Sequence, residues 1–283
     1  MRSGAGASLI SLGDPDETVD RIVRFLRTHS ERIGARRLVV GMSGGLDSSV
    51  TAALCSKALG GKATLGFCLP EADTRSPRNM QDAEEVARKF GIRFKSLDIS
   101  GLIQGAANLL HPSKKKERVI AYGNLKARLR AMILYYYANT SKGLVVGTGD
   151  KSEIMLGYFT KYGDGACDIQ PIADLYKSAV RDLARHMGLP RRIFSKPSSP
   201  ELWPGQIAED ELGLPYSKVD LILWRLERWM PSQEISDELQ IPLRTVERVR
   251  SRWLKSEHKR RPPLSIKLGF RTAGQDLRIP YSL

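Results

Sequence analysis

The sequence predicts one α/β unit: an open, doubly wound, mostly parallel sheet with helices on both faces. Three observations carry this. Short apolar, β-branched runs recur along the first half of the chain, at Arg37-Leu38-Val39-Val40-Gly41, Ala63 to Leu69, Ile92 to Leu97 and Leu144-Val145-Val146-Gly147. Segments of helical periodicity separate them, which implies parallel pairing through right-handed crossovers. The composition, 41% hydrophobic and 27% charged over 283 residues, is that of a soluble chain able to bury a real core.

Taken in order, residues 15–34 form an amphipathic helix, with Val19, Ile22, Val23, Phe25 and Leu26 at helical spacing and Gly34 as its stop. The strand at 37–41 leads through a Gly/Ser-rich turn into a helix over 47–59. After the second strand comes a helix over 77–90, closed by Gly91. The third strand is followed by a helix over 101–110, a polar, basic loop over 111–118 and a long helix over 119–139. The apolar stripe of that long helix is Leu125, Leu129, Met132, Ile133 and Tyr136. Residues 157–170 are Gly-rich and irregular, 175–187 are helical, and 195–205 form a Ser/Pro-dense loop. Shorter helices run to about residue 258, and an extended basic tail closes the chain. We read 1–283 as a single domain: an N-terminal helix (15–34), an α/β core (36–200) and a C-terminal helical segment with tail (201–283).

Composition excludes several classes. No apolar run reaches the roughly 20 residues that span a bilayer, and the N-terminus lacks the pattern of a secretory signal. A cytoplasmic protein is expected, with no membrane partner. Cys55, Cys68 and Cys167 form no CxxC pair, against a zinc ribbon, an iron–sulfur site or a disulfide framework. Cys55 and Cys68 read as small buried hydrophobes. The four histidines show no HExxH arrangement. The net charge of +14 predicts an anionic partner without choosing one.

The turn after the first strand carries the chemistry. Gly41, Met42, Ser43, Gly44, Gly45, Leu46, Asp47 and Ser48 lead directly into a helix. Glycines let backbone N–H groups approach an anion, and the helix N-terminus adds free donors and partial positive charge. This is not a Walker loop, because no lysine follows the glycines. An aspartate stands inside the turn instead, and a carboxylate there suits Mg²⁺ held against phosphates. As a plain turn, the same residues would simply cap the helix through Asp47 or Ser48; the full string after a β-branched strand favours phosphate binding.

SGGxDS resembles the loop of the ATP-pyrophosphatase superfamily, whose Rossmann-like enzymes cleave ATP between the α- and β-phosphates. Further segments narrow the resemblance. They are Gly123-Asn124-Leu125-Lys126-Ala127-Arg128-Leu129-Arg130, Gly147-Thr148-Gly149-Asp150-Lys151-Ser152-Glu153, Gly157-Tyr158-Phe159-Thr160-Lys161-Tyr162-Gly163-Asp164 continuing to Asp168, Lys177, and Lys196-Pro197-Ser198-Ser199. In this order they resemble the NAD synthetases, over about residues 38–262.

The resemblance implies an ATP-dependent amidation of deamido-NAD to NAD through an adenylated intermediate, with release of AMP and pyrophosphate. It implies ATP contacts from the loop 41–48, Thr148, Lys177 and Ser199, with Ser198 one residue away as the alternative hydroxyl. It implies Mg²⁺ on Asp47 and Glu153, catalytic roles for Asp47 and Lys177, and deamido-NAD contacts from Arg128, Lys161, Asp168, His258 and Lys259. Family members usually form homodimers around a shared dinucleotide site, and Tyr135-Tyr136-Tyr137 would suit such an interface or the core. About 40 residues precede the loop, too few for the amidase domain of glutamine-using members, so ammonia is the expected nitrogen donor.

Two other readings compete. Other superfamily members modify tRNA or form other amides, but many tRNA-modifying ones use paired cysteines that this chain lacks. Ser232 to Arg250 resembles a helix-turn-helix with arginines on its second helix. Such helix pairs are common packing units, and no three-helix domain with its own core is evident around this one, so nucleic acid is not the expected partner.

Overall fold

In the computed structural model, which describes residues 10, 12–110, 116–273 and 276–277, four parallel strands stand in the order β3-β2-β1-β4. They are β1 (Arg37–Gly41), β2 (Thr64–Cys68), β3 (Arg93–Ser96) and β4 (Gly143–Val146). Val39 of β1 pairs with Leu65 on one side and Val145 on the other. The order reverses between β1 and β4, and ligands of open α/β sheets sit at such a switch point, beyond the strand C-termini. The SGGLDSS turn and the Gly147–Glu153 segment leave the sheet there.

Local chemistry sets the helix limits. Helix α1 (Pro15–Ile33) starts on Asp14, whose carboxylate accepts from the Asp16 and Glu17 N–H groups, and ends at left-handed Gly34. Helix α3 (Pro77–Lys89) is capped by Ser76. Helix α2 (Leu46–Leu59), directly after the glycine-rich turn, has no side-chain cap. Helices α4 (Ser100–Leu110) and α5 (Lys116–Ser141) follow β3. The long helix therefore takes in 116–118, assigned to loop by the sequence; the rest of that loop, 111–115, lies outside the described residues. Helix α6 (Lys151–Leu156), absent from the sequence expectation, begins on a capping box in which the Asp150 carboxylate accepts from the Glu153 N–H and Glu153 reaches back to the Asp150 backbone. Helix α7 (Lys177–His186) and the short α8 (Arg191–Ser195) complete the core.

Alternation along β1 sends residues to opposite faces. Leu38 and Val40 pack with Leu26, Val50, Leu54, Val86 and Leu183. Val39 packs with Phe67, Ile99, Ile103 and Ala138 on the other face. The sheet is thus covered on both sides.

The expected stripe of α5 is corrected: Met132 and Tyr136 face solvent, and the buried line is Ala127, Ala131 and Ala138. Small side chains let this helix lie close to the sheet, so that Leu134 comes within van der Waals reach of Gly41. The tyrosines divide likewise. Tyr137 stacks on Phe67 with ring centroids 4.3 Å apart, Tyr135 donates to Asp168, and Tyr136 is exposed.

Beyond the core lie α9 (Ala208–Leu212), α10 (Tyr216–Leu226), α11 (Ser232–Leu239), α12 (Leu243–Lys255) and α13 (Glu257–Arg260). The helix-turn-helix geometry is present, with Gln240 left-handed at its turn. Its apolar side is buried: Ile235, Ile241, Val246 and Val249 pack with Val219, Ile222 and Leu223. The same cluster takes in Met155, Leu156 and Tyr176 from the α/β part, so this packing continues into the sheet domain. Cys55 and Cys68 are buried and unpaired. No helix among the described residues is long and apolar enough to cross a membrane.

Candidate active site

A cavity of about 500 Å³ opens at the switch point. Its floor is the glycine-rich turn. Gly44 has φ +79°, and a Cβ there would collide with the Asn79 carbonyl oxygen, so only glycine fits. Ser43 Oγ accepts from the Gly45 N–H at 3.2 Å, and Ser48 Oγ donates to the Gly45 carbonyl at 3.2 Å. With no side-chain cap on α2, its first N–H groups are left to a ligand.

At one wall, four side chains from three segments converge. The Lys177 ammonium is fully buried and lies 2.8 Å from Asp47, 2.9 Å from Asp150 and 2.7 Å from Glu153. Asp47 and Glu153 receive hydrogen bonds from it; Asp150 Oδ2 stands at ion-pair distance without hydrogen-bond geometry. Burial alone would lower the Lys177 pKa, but the carboxylates, Asp150 foremost, hold it well above the ordinary lysine value. Burial pushes Asp150 up to about 7 and raises Glu153 as well, against the pull of Lys177.

Three carboxylates facing one ammonium leave an excess of acceptors. Asp47 Oδ1 is buried without a partner, and oxygens of Asp47, Asp150 and Glu153 lie within 4.8 Å of one another. An all-oxygen donor set with an orphaned carboxylate oxygen fits a hard divalent cation such as Mg²⁺.

Of the residues singled out in the sequence, the loop 41–48 (apart from Gly44), Thr148, Glu153, Ser198, Ser199 and Lys259 line the cavity. Lys177 stands behind the Asp47–Glu153 wall. Arg128, Lys161, Asp168 and His258 do not line it; the first, second and fourth are linked to one another, and Asp168 is held apart from them by Tyr135 and Val145. The Arg128 guanidinium donates to the Lys161 carbonyl at 3.2 Å, and Lys161 Nζ donates to the His258 carbonyl at 2.8 Å. Both Asp168 oxygens are engaged, accepting from the Tyr135 hydroxyl and the Val145 N–H. Lys259 Nζ donates to the Gly157 and Phe159 carbonyls at 2.7 Å.

Sequence reasoning missed three side chains. Asp150 completes the carboxylate cluster; its signal was the D-x-x-E spacing of a capping box. Arg130 lines the cavity from α5, half-buried and donating to the Leu69 carbonyl at 3.2 Å. Lys196 donates to the Gly44 carbonyl at 2.6 Å and to Asn79 at 2.9 Å, fixing the turn from the far wall. The last two lie within segments quoted from the sequence, but their contacts reach across the fold and no spacing gives them.

The sequence profile of the NAD synthase family matches residues 18–263. The chain belongs to the NAD synthase family. An NH(3)-dependent NAD(+) synthetase from Hyperthermus butylicus is 45% identical over 243 residues, 86% of this chain and 87% of that protein. Among solved structures, an NMN synthetase from Francisella tularensis superposes with a TM-score of 0.79 at 32% identity, covering 90% of this chain and 99% of that one. An NH3-dependent NAD synthetase from Campylobacter jejuni gives a TM-score of 0.74 at 26% identity, covering 90% of this chain and 100% of that one. Family membership and the parallel sheet agree with the fold class read from the strand–helix alternation.

Proposed function

We propose that this NAD synthase family member amidates deamido-NAD to NAD with ammonia at the expense of ATP. The nicotinate carboxylate attacks the α-phosphorus, the bond to the β-phosphate breaks and pyrophosphate leaves. Ammonia then attacks the acyl-adenylate carbon, AMP departs, and the nitrogen sheds a proton. The observation that carries this reading is the Lys177–Asp47–Asp150–Glu153 cluster beside the uncapped α2 N-terminus. Two polyanions must meet there, and catalysis of that kind is mostly positioning and charge stabilisation.

The residues divide the work. The turn 41–48, with Thr148 and Ser199, cradles ATP. Lys177 meets the transferring phosphoryl charge. Asp47 and Glu153 would hold Mg²⁺, which when bound screens the phosphates. Arg128, Lys161, Asp168, His258 and Lys259 would take deamido-NAD. Four of these five lie outside the cavity, and Arg128 shares a face of α5 with the exposed Met132 and Tyr136, which supports a homodimer with the dinucleotide shared across its interface. A cytoplasmic setting, where ATP is available, goes with this reading.

Incubation with deamido-NAD, ATP, Mg²⁺ and ammonium should yield NAD, AMP and pyrophosphate; ADP in place of AMP, or no NAD, overturns the assignment. The likeness to an NMN synthetase makes nicotinate mononucleotide the competitor to run alongside, and a higher kcat/KM for it would reassign the substrate. Asp47→Ala should abolish turnover in a folded protein, as judged by circular dichroism. Sedimentation should give a dimer that Met132→Glu dissociates.

A further inference from the structure

A second buried carboxylate reaches the catalytic centre from behind. Asp220, on α10, is completely inaccessible to solvent. Its Oδ1 accepts from Ser152 Oγ at 2.6 Å; its Oδ2 accepts from the Ser178 N–H at 2.9 Å and from Ser178 Oγ at 2.7 Å. Ser152 Oγ in turn accepts from the Lys177 N–H at 2.9 Å. Ser152 precedes Glu153 and Ser178 follows Lys177 in the chain. One carboxylate therefore binds both segments that carry the Lys177–Glu153 pair.

Helix α7 explains why it is needed. Its own N-cap, Tyr176, makes no side-chain cap bond. Asp220 supplies that cap from another helix, placing a negative charge at the start of α7. The rest of α10 repeats the arrangement. Four residues earlier, the Tyr216 ring centroid lies 5.1 Å from Lys177 Nζ. Seven residues later, Glu227 pairs with Lys151 at 2.8 Å. Tyr216, Asp220 and Glu227 stand on one side of the helix, so α10 braces the back of the site while Lys177, Asp47, Asp150 and Glu153 meet at its front.

We propose that Asp220 is a positioning residue: through Ser152 and Ser178 it fixes where Lys177 and Glu153 meet the ATP phosphates and their metal. It touches neither substrate. The inference rests on the amidation reading above, and its test has an arm independent of turnover.

The test compares wild type with the near-isosteric Asp220→Asn by two measurements. Calorimetry with α,β-methylene-ATP and Mg²⁺ reads nucleotide binding, and steady-state kinetics reads kcat and each KM. Loss of a residue that orients metal ligands commonly lowers metal affinity or activity by about 10–100-fold. Asp220→Asn should weaken Mg²⁺-dependent analogue binding and lower kcat within that range, leaving KM for deamido-NAD unchanged. A purely structural role would lower the melting temperature and active fraction, with wild-type Kd and kcat per folded molecule; that result, or wild-type behaviour throughout, overturns the proposal. Should Asp220→Asn fail to fold, Ser178→Ala, which keeps the backbone bond, decides: a loss near tenfold supports the proposal and none overturns it. If wild type itself fails to amidate deamido-NAD, the substrate assignment falls and analogue binding still decides the role of Asp220.

Discussion

Two lysines are buried among the described residues, and their surroundings differ in what is left unsatisfied. Lys126, on α5, faces Glu71 at 2.7 Å and Asp73 at 3.1 Å. Both Glu71 oxygens are used, one by Lys126 and the Thr74 hydroxyl, the other by the Asp73 N–H. The pair is satisfied, and it pins the loop after β2 to α5. Lys177 is as deeply buried but faces three carboxylates, two of which, Asp47 and Asp150, keep a buried oxygen without a hydrogen bond. A balanced buried pair holds a fold together; a buried cluster short of positive charge is built to receive more. The two sites separate through what is left unsatisfied, not through burial or distance.

Substitution should separate them further. Removing the charge-stabilising donor at a phosphoryl-transfer centre should cost about 10²–10³ in kcat, the size of effect seen for single oxyanion donors. Lys177→Met is therefore expected to lose activity on that scale per folded molecule, and also to lose stability because it strands the carboxylates around it; retained turnover would break the contrast outright. Lys126→Met should cost stability alone. Stranding a buried charge destabilises by about 3–5 kcal/mol, which urea denaturation would read, while kcat per folded molecule stays at the wild-type level. A double variant with Glu71→Gln should recover part of that loss, since the two residues form one unit.

Acid denaturation gives a third comparison. Burial would raise Glu71, but the Lys126 hydrogen bond, with those from Asp73 and Thr74, brings it below its ordinary value of 4.5. A depressed carboxylate contributes stability that is complete above the unfolded-state value and lost as pH falls through the lower folded one. Below pH 4.5 the wild type should lose stability with a slope that Lys126→Met flattens or reverses. The smallest effect is expected at Asp73, whose side chain is 57% exposed. Exposed ion pairs contribute roughly 0–1 kcal/mol, so Asp73→Asn should shift stability by less than about 1 kcal/mol; a loss as large as that of Lys126→Met would show that Glu71 alone does not balance the lysine.

Much of the site could be read from the sequence because its determinants are local. A phosphate-binding turn needs its glycines, serines and aspartate within a few residues, since backbone N–H groups of consecutive residues do the binding. Asp47, Thr148 and Glu153 follow strand ends, where an open sheet puts its ligand residues. The α5 stripe misled because an apolar side chain is equally at home in a core or at an interface between copies; the alanines that face the sheet carry too little hydrophobicity to announce themselves. The same limit hid Lys196 and Arg130, which act on the Gly44 and Leu69 carbonyls across the fold.

By itself the sequence determined the parallel sheet, the glycine-rich turn at a strand end and the family, because periodicity, turn chemistry and ordered motifs are properties of contiguous residues. Only the tertiary structure decided that Asp150 joins Asp47 and Glu153 around Lys177. It also set Asp220 against the two segments that carry Glu153 and Lys177, and gave Lys126 a balanced partner and Lys177 an unbalanced cluster. The physical reason is common to all three: the free energy of a buried charge depends on every partner within a few ångströms, and those partners come from segments that only folding brings together.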